Sequence, residues 1–316
     1  MSLLKIYKKL KKPENTNKNS FNTENLKKSN NHYIGINGLG HIAILFCTTS
    51  PKGKEENIQN LQLHHGMQAT IKFNGKESKK KFSILRCTSK EERLREIFLS
   101  SLNNIIENIA ETISEKEIYE KTKSLIELYK QISKSKNYDL IGFWGELFII
   151  KILNSKELLI EAFHPKINDT FDFFLENKAL EIKSTTSNDR KHIFSFDQLN
   201  SKNNIIIIGS VMLRKSRTGI SLLDLKNDIL KDIGKKYLKE KLQEIYDIYT
   251  GSKTQKELND IKYNFKYSKD NLKFFDSTKV PRIKETPMYG VKNIKFVSDL
   301  NSAESISKLS DYEFLK

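Results

Sequence analysis

The stretch that decides the fold is Asp172–Thr185, "DFFLENKALEIKST". Apolar and polar residues alternate with a period of two on both sides of a polar break, the pattern of a β-hairpin. With a two-residue loop at Glu176-Asn177, Asp172 stands opposite Glu181. With the loop at Asn177-Lys178, it stands opposite Lys183. Glu181 and Lys183 are two apart and share a face. Either loop gathers Asp172, Glu181 and Lys183 on one side and turns Phe173 and Ile182 the other way, into core. A three-residue loop breaks this arrangement unless a bulge restores it.

Two carboxylates close together on one sheet face repel each other. A divalent cation relieves the repulsion, and Mg²⁺ prefers oxygen ligands and keeps several waters. A lysine beside them can orient or deprotonate a water, or stabilise charge on a phosphate. Asp, Glu and Lys around Mg²⁺ are the parts needed for phosphodiester hydrolysis. A solvated hairpin carries the same three residue types, so the flanking sequence has to decide.

Upstream lies "YDLIGFWGELFIIKIL" (138–153), apolar almost all the way round, which describes a buried helix. Glu146 sits in its middle. A buried carboxylate is costly unless paired or bound to a cation. The alternatives for Glu146 are a narrow wet stripe or a lysine partner. Gly142 and Gly145 would let another backbone or a ligand approach closely. Downstream come "KHIFSF" (191–196) and the apolar run "IIIIGSVML" (205–213), both strands. Helix, strand, strand, strand is the αβββ opening of a restriction-endonuclease-like core. Around it, Ser184 and Thr185 offer hydroxyls to phosphate or to their own backbone. Arg190, Lys191 and His192 form a basic turn able to grip a DNA backbone or simply to face water. Gln198 orients a ligand or caps a helix. His164, ahead of Pro165, reads as a loop residue.

Further out, residues 1–12 place Leu3, Leu4, Tyr7 and Leu10 on one helical face, a small helix docked on the protein's own body. Residues 12–31 are polar and read as loop. From His32 to about Thr88 short β-branched runs broken by Gly and Asn describe an antiparallel β-domain. His64-His65 lies in one of these strands; neighbours point to opposite faces, so the pair reads as structural. Helical periodicity takes over at 90–132. Late segments such as "YNFKYS", "LKFFDS" and "GVKNIKFVSDL" read as strands and the last fifteen residues as a helix. The expected division is 1–31 helix and linker, 32–89 β-rich domain, 90–136 helical connector, 137–235 catalytic core and 236–316 α/β extension.

The 316 residues carry 55 basic and 39 acidic side chains, a net charge of +16 that suits a polyanionic partner. Only seven of the basic residues are Arg, and Lys-, Asn- and Ile-rich usage also follows from an AT-rich genome. Cys47 and Cys87 form no CxxC, which argues against a disulfide framework and against a zinc site. With neither a long apolar run nor a secretory signal at the start, a cytoplasmic location is expected.

Taken together, "LIGFWGELFIIKIL", "DTFDFFLENKALEIKST" and "KHIFSFDQL" resemble the PD-(D/E)XK-motif proteins of bacterial defence and restriction gene clusters. The resemblance falls on Gly142, Gly145, Glu146 and Leu147; on Asp172 and Phe173; on Glu181–Thr185; and on Ser195, Gln198 and Leu199. "VPRI" (280–283) resembles a late signature of the same family. The acid is preceded by Phe171 where the motif name has Pro, which leaves the chemistry intact. The resemblance implies an α/β fold with a restriction-endonuclease-like core, a mixed sheet flanked by helices, behind the β-rich N-terminal domain. It implies Mg²⁺, with Mn²⁺ as a substitute, held by Asp172, Glu181 and the Ile182 carbonyl. Lys183 would be the catalytic lysine and Glu146 an accessory carboxylate. DNA would be cut to a 5′-phosphate and a 3′-hydroxyl, with a methyltransferase or an ATPase/helicase as functional partner. A homodimer would supply two active sites for two strands. A non-catalytic DNA-binding or scaffold subunit, or an RNA-directed nuclease, are the competing expectations.

Overall fold

The structure, a computed structural model, describes residues 2–26, 31–107, 109–134, 139–163, 170–201, 204–284 and 289–307. The chain divides into two compact units, Met1–Lys136 and Asn137–Lys316.

In the first unit α1 (Leu3–Tyr7) precedes β1 (Ser20–Asn25), β2 (His32–Asn37), β3 (Ile42–Phe46), β4 (Thr48–Thr49), β5 (Glu56–Ile58), β6 (Leu61–Phe73) and β7 (Lys76–Cys87). Then come α2 (Glu92–Glu107), β8 (Ile113–Ser114) and α3 (Glu115–Lys134). The main sheet runs β1-β2-β3-β7-β6-β5 with antiparallel neighbours, and a parallel pairing of β1 with β6 closes it into a barrel. Phe21, Tyr33, Leu45, Ile71, Phe82 and Ile84 fill the interior. β1 falls in the stretch expected to be loop. "SFNTEN" is polar because only Phe21 and Thr23 turn inward and the alternate residues face out. α1 docks on α2 as expected: the Leu3 amide donates to Asn103 Oδ1 (3.0 Å) and Arg95 Nη1 to the Tyr7 hydroxyl (3.1 Å). His65 spends its ring nitrogens on Ser83 Oγ (2.7 Å) and the Lys54 carbonyl (3.2 Å), a structural role. Both cysteines are free thiols.

The second unit begins with α4 (Leu140–Ile152), α5 (Lys156–Ala162), β9 (Phe173–Leu175), β10 (Lys178–Thr185), β11 (Lys191–Ser195), α6 (Phe196–Asn200) and β12 (Ile205–Met212). It continues with β13 (Lys215–Ser221), α7 (Leu222–Asp232), α8 (Lys236–Thr250), α9 (Gln255–Asp260), β14 (Lys262–Tyr263), α10 (Phe265–Asp270), β15 (Lys273–Asp276) and β16 (Lys295–Asp299). This is a mixed sheet, order β15-β12-β10-β9, with the central pair β10–β12 parallel and both edge strands antiparallel.

α4 packs on one face of that sheet, where a Cβ on Gly145 would overlap Ser184 Oγ and lie 3.5 Å from Ile182 Cγ2. On the other face Ala179, Ile206 and Ile208 meet Phe194 and Leu199. Asp139 caps α4 by accepting from the Ile141 amide (2.9 Å), and Trp144, wholly buried, donates from Nε1 to the Ile220 carbonyl (2.9 Å).

Three expectations about elements change. β11, the third strand of the expected αβββ opening, pairs with β16 in a separate ribbon instead of joining the sheet. "YNFKYS", expected as a strand, keeps only Tyr263 in β14 and then turns into α10, because Asn264 accepts from the Tyr267 amide and nucleates a helix. Residues 303–307 are not helical, and the rest of the expected C-terminal helix (308–316) lies outside the described residues, as does His164. No helix among the described residues is long and apolar enough to cross a membrane.

Candidate active site

The hairpin adopts the first of the two registers. Leu175 pairs with Lys178 and Phe173 with Leu180, so the loop is Glu176-Asn177, and Glu176 takes a left-handed φ of 55°. By continuation of this register Asp172 faces Glu181. It lies one residue outside β9, in a bend, and its side chain does something the alternation pattern does not anticipate. Asp172 Oδ2 accepts the backbone N–H of Ile182 at 2.7 Å. The ladder explains why that N–H is free to donate. Asn177 O accepts from Ile205 N and Thr185 O from Leu213 N, both at 2.8 Å, so odd-numbered residues of β10 spend their backbone groups on β12. Ile182 therefore turns its N–H and its carbonyl toward the β9 edge, beyond the end of β9. Asp172 works at that edge.

Glu181, 3% exposed, points to the sheet face covered by Phe194 and α6. Lys183 Nζ donates to Glu181 Oε1 at 2.7 Å and to Gln198 Oε1 at 3.3 Å, and lies 5.1 Å from the Phe194 ring centroid. Gln198 Nε2 donates to the same Glu181 Oε1 at 2.5 Å and to the Thr170 carbonyl at 3.1 Å. Gln198 also completes a capping box with Ser195 at the start of α6, so the two roles expected of it coexist.

Glu146 approaches from α4 and is 6% exposed. The Tyr249 hydroxyl of α8 hydrogen-bonds it, with the Tyr249 ring stacked 4.0 Å from that of Phe143. Burial holds the Glu146 carboxyl well above the usual carboxylate range, and the charges of Asp172 and Glu181 push the same way. Burial raises Asp172 to about 6 against the pull of the Ile182 N–H and Lys183. Burial and then the charge of Asp172 raise Glu181 to about 8, even with Lys183 in contact. Three acids thus sense one another where water does not screen them, and they titrate as a group.

Glu146 Oε2 and Glu181 Oε2 are buried, and neither has a hydrogen-bond partner among the described residues. Oxygen atoms left in that state fit a hard divalent cation. Among the described residues no three His, Cys, Asp or Glu side chains stand close enough to share an ion. The expected ligand set, Asp172 and Glu181 with the edge-facing Ile182 carbonyl, offers two carboxylates and one backbone oxygen.

Other expected residues separate from this group. Arg190, expected in a DNA-facing turn, is 4% exposed: Nη1 donates to Ser210 O and Oγ, each at 3.0 Å, and Nη2 to the Asn271 carbonyl. It braces the core and cannot reach a ligand. His192 beside it is buried on Ser210 Oγ (2.9 Å), and burial lowers its pKa to about 4. Lys191 is exposed and 3.7 Å from Asp189. Thr185 Oγ1 accepts from the Ser187 amide at 3.0 Å, a turn contact, and Ser184 Oγ is buried against α4 without a partner. Arg282, in the late "VPRI", donates to the Leu199 carbonyl (3.2 Å) and the Ser277 carbonyl (2.6 Å) and so ties the end of α6 to the β15–β16 connection. Tyr249 was missed; an aromatic residue a hundred positions beyond Glu146 in a helix carries no local signal of its partner.

No curated protein and no solved structure matches the chain. A family model matches residues 3–301, nearly the whole length, a span that includes the D…ExK hairpin, the Glu146 helix and the Arg282 segment. The chain belongs to the family described as "Putative PD-(D/E)XK family member, (DUF4420)".

Proposed function

We propose that the protein is a Mg²⁺-dependent DNA endonuclease of a restriction or anti-phage system, acting in the cytoplasm, with its second unit built as a restriction-endonuclease-like core. The observation that supports this most is the pairing of Lys183 with the buried Glu181 beside Asp172, with Glu181 Oε2 left unpartnered among the described residues. Asp172, Glu181 and the Ile182 carbonyl would hold the cation, with Mn²⁺ as a substitute. When bound, it supplies Lewis acidity toward the scissile phosphate and a more acidic water.

The chain's own residues do the rest. Asp172 is aimed by the Ile182 N–H, so its free oxygen has a fixed direction. Lys183 Nζ, steered by Glu181 and Gln198, presents its remaining proton to the attacking water or to charge growing on the phosphate. Attack in line at phosphorus leaves a 5′-phosphate and a 3′-hydroxyl. Glu146, its carboxyl pushed above the usual range by burial and held by Tyr249, would act as an accessory carboxylate. A methyltransferase or an ATPase/helicase of the same gene cluster fits as partner, and a homodimer would bring a second site for the second strand.

The test is plasmid DNA incubated with the full chain in Mg²⁺ or in EDTA, beside Lys183→Ala. Cleavage confined to wild type in Mg²⁺ is expected. Cleavage that survives EDTA or Lys183→Ala would sink the mechanism. Salt-sensitive DNA binding without cleavage would favour the scaffold subunit, and cleavage of RNA alone would redirect the substrate.

A further inference from the structure

The inward-facing rows of the first unit's barrel change character at one end. Along β7 the row runs Phe82, Ile84, Arg86; back along β3 it runs Leu45, Ala43, His41; ahead of β1 it runs Phe21, Asn19. Apolar filling gives way to hydrogen-bond donors. Arg86 is 7% exposed, yet among the described residues its one side-chain hydrogen bond is from Nη2 to Asn19 Oδ1 at 3.0 Å, and its Nε has no partner there. Its guanidinium lies 5.6 Å from the Phe21 ring centroid, on the apolar filling itself. Among the described residues no carboxylate offsets its charge. A buried cation with one neutral hydrogen bond is costly and is normally matched by an anion.

His41 repeats the theme. Its Nδ1 is buried without a partner, and after burial itself the cations Arg86, Arg95 and Lys90 act to keep the ring neutral. These groups open on a cavity of about 530 Å³ walled by Lys18, Asn19, His41, Gln62, His64 and Arg86, with no Asp or Glu among the described residues of its wall. Leu39, Met67 and Ile84 give it an apolar side. That size and that mixture suit a small ligand with an anionic end and a flat apolar body.

We propose that this barrel mouth binds the phosphate ester of a nucleotide, with Arg86 on the phosphate oxygens and the apolar side against sugar or base. The planar guanidinium fork matches phosphate geometry with two parallel donors. The ester could be carried by a free nucleotide or by the 5′ end of a DNA strand. No residue of the second unit takes part, so the site stands or falls apart from the cleavage reading.

The experiment is calorimetric titration of the full chain in EDTA, where no cleavage interferes. The probes are dAMP, deoxyadenosine, and a short single-stranded oligodeoxynucleotide with either a 5′-phosphate or a 5′-hydroxyl. dAMP is expected to bind and deoxyadenosine not. Arg86→Gln should weaken dAMP by about tenfold or more, the loss of a charge-assisted contact. Lys18→Ala, at an exposed position that leaves folding alone, should weaken it by a smaller factor. A 5′-phosphate preference among the oligonucleotides assigns the site to strand ends; equal oligonucleotide binding with dAMP retained assigns it to free nucleotides. Equal binding of dAMP and deoxyadenosine, no binding of dAMP, or dAMP affinity unchanged in Lys18→Ala and Arg86→Gln would overturn the proposal.

Discussion

Glu181→Gln tests the electrostatics of the site through stability alone. Burial and the Asp172 charge lift the Glu181 carboxyl to about 8, against an ordinary value of 4.5. Over that range the folded chain holds a proton that the unfolded chain has lost. Stability contributed by this proton is complete at low pH and is lost as pH rises toward 8. His192 runs the other way: its folded value of about 4 lies below the ordinary 6.5, so its contribution is lost as pH falls from 6.5 toward 4. At pH 6.5 the unfolded His192 is still about half charged, but its contribution is common to both proteins and cancels between them, and Asp172, at about 6, is mostly ionised in both states. Glu146 adds a slope of the same sign as Glu181 in either protein, so the informative quantity is wild type minus variant. With a proton worth at most about 1.4 kcal/mol per pH unit, and Glu181 about half ionised at pH 8, that difference is about 1–2 kcal/mol between pH 6.5 and 8. The corresponding shift in melting temperature is about 3–6 °C for a unit of this size. Trp144, the chain's single tryptophan, is buried in the second unit, and its fluorescence follows that unit's melting. Melts in EDTA at both pH values should fall more steeply in wild type than in Glu181→Gln, and Mg²⁺ should remove the excess by binding the ionised form. Parallel slopes in the two proteins would refute the reasoning.

Two further substitutions separate packing from chemistry. Gly145→Ala drives a methyl into Ser184 Oγ and should cost about 1–3 kcal/mol in a urea melt, with Ser184→Ala recovering part of it; Gly142→Ala, whose nearest neighbour stands 3.4 Å away on Asp139, should be neutral or stabilising. Arg190→Ala should lower stability by about 2–4 kcal/mol by orphaning the carbonyls of Ser210 and Asn271, while DNA affinity of the folded protein stays unchanged in a filter-binding assay.

The hairpin was legible because period two and a two-residue loop leave few registers, and Glu181 and Lys183 must share a face in any of them. The edge role of Asp172 was not, because it depends on β9 beginning only at Phe173 while β10 runs on beside β12. Alternation along one strand cannot show where its neighbour stops. The buried helix around Glu146 followed from an apolar run with no polar side, and Gly145 from its place on that helix. Arg190 misled for a plain reason: its chain neighbours Asp189 and Lys191 are exposed, and the burial of Arg190 comes from Ser210 and Asn271, far along the chain. β1 was hidden for the opposite reason, a strand with only two inward side chains and polar residues between them. Tyr249 and the barrel-mouth position of Arg86 are purely tertiary facts.

The central claim is that the half-buried Asp172 and the buried Glu181 are held together to bind a divalent cation. The direct measurement is Mn²⁺ titration of the full chain, followed by electron paramagnetic resonance, for wild type, Asp172→Asn, Glu181→Gln and Lys183→Ala. The account predicts a tight site in wild type and in Lys183→Ala that is lost in Asp172→Asn and in Glu181→Gln. Equal Mn²⁺ binding by all four proteins, or none by wild type, would contradict it.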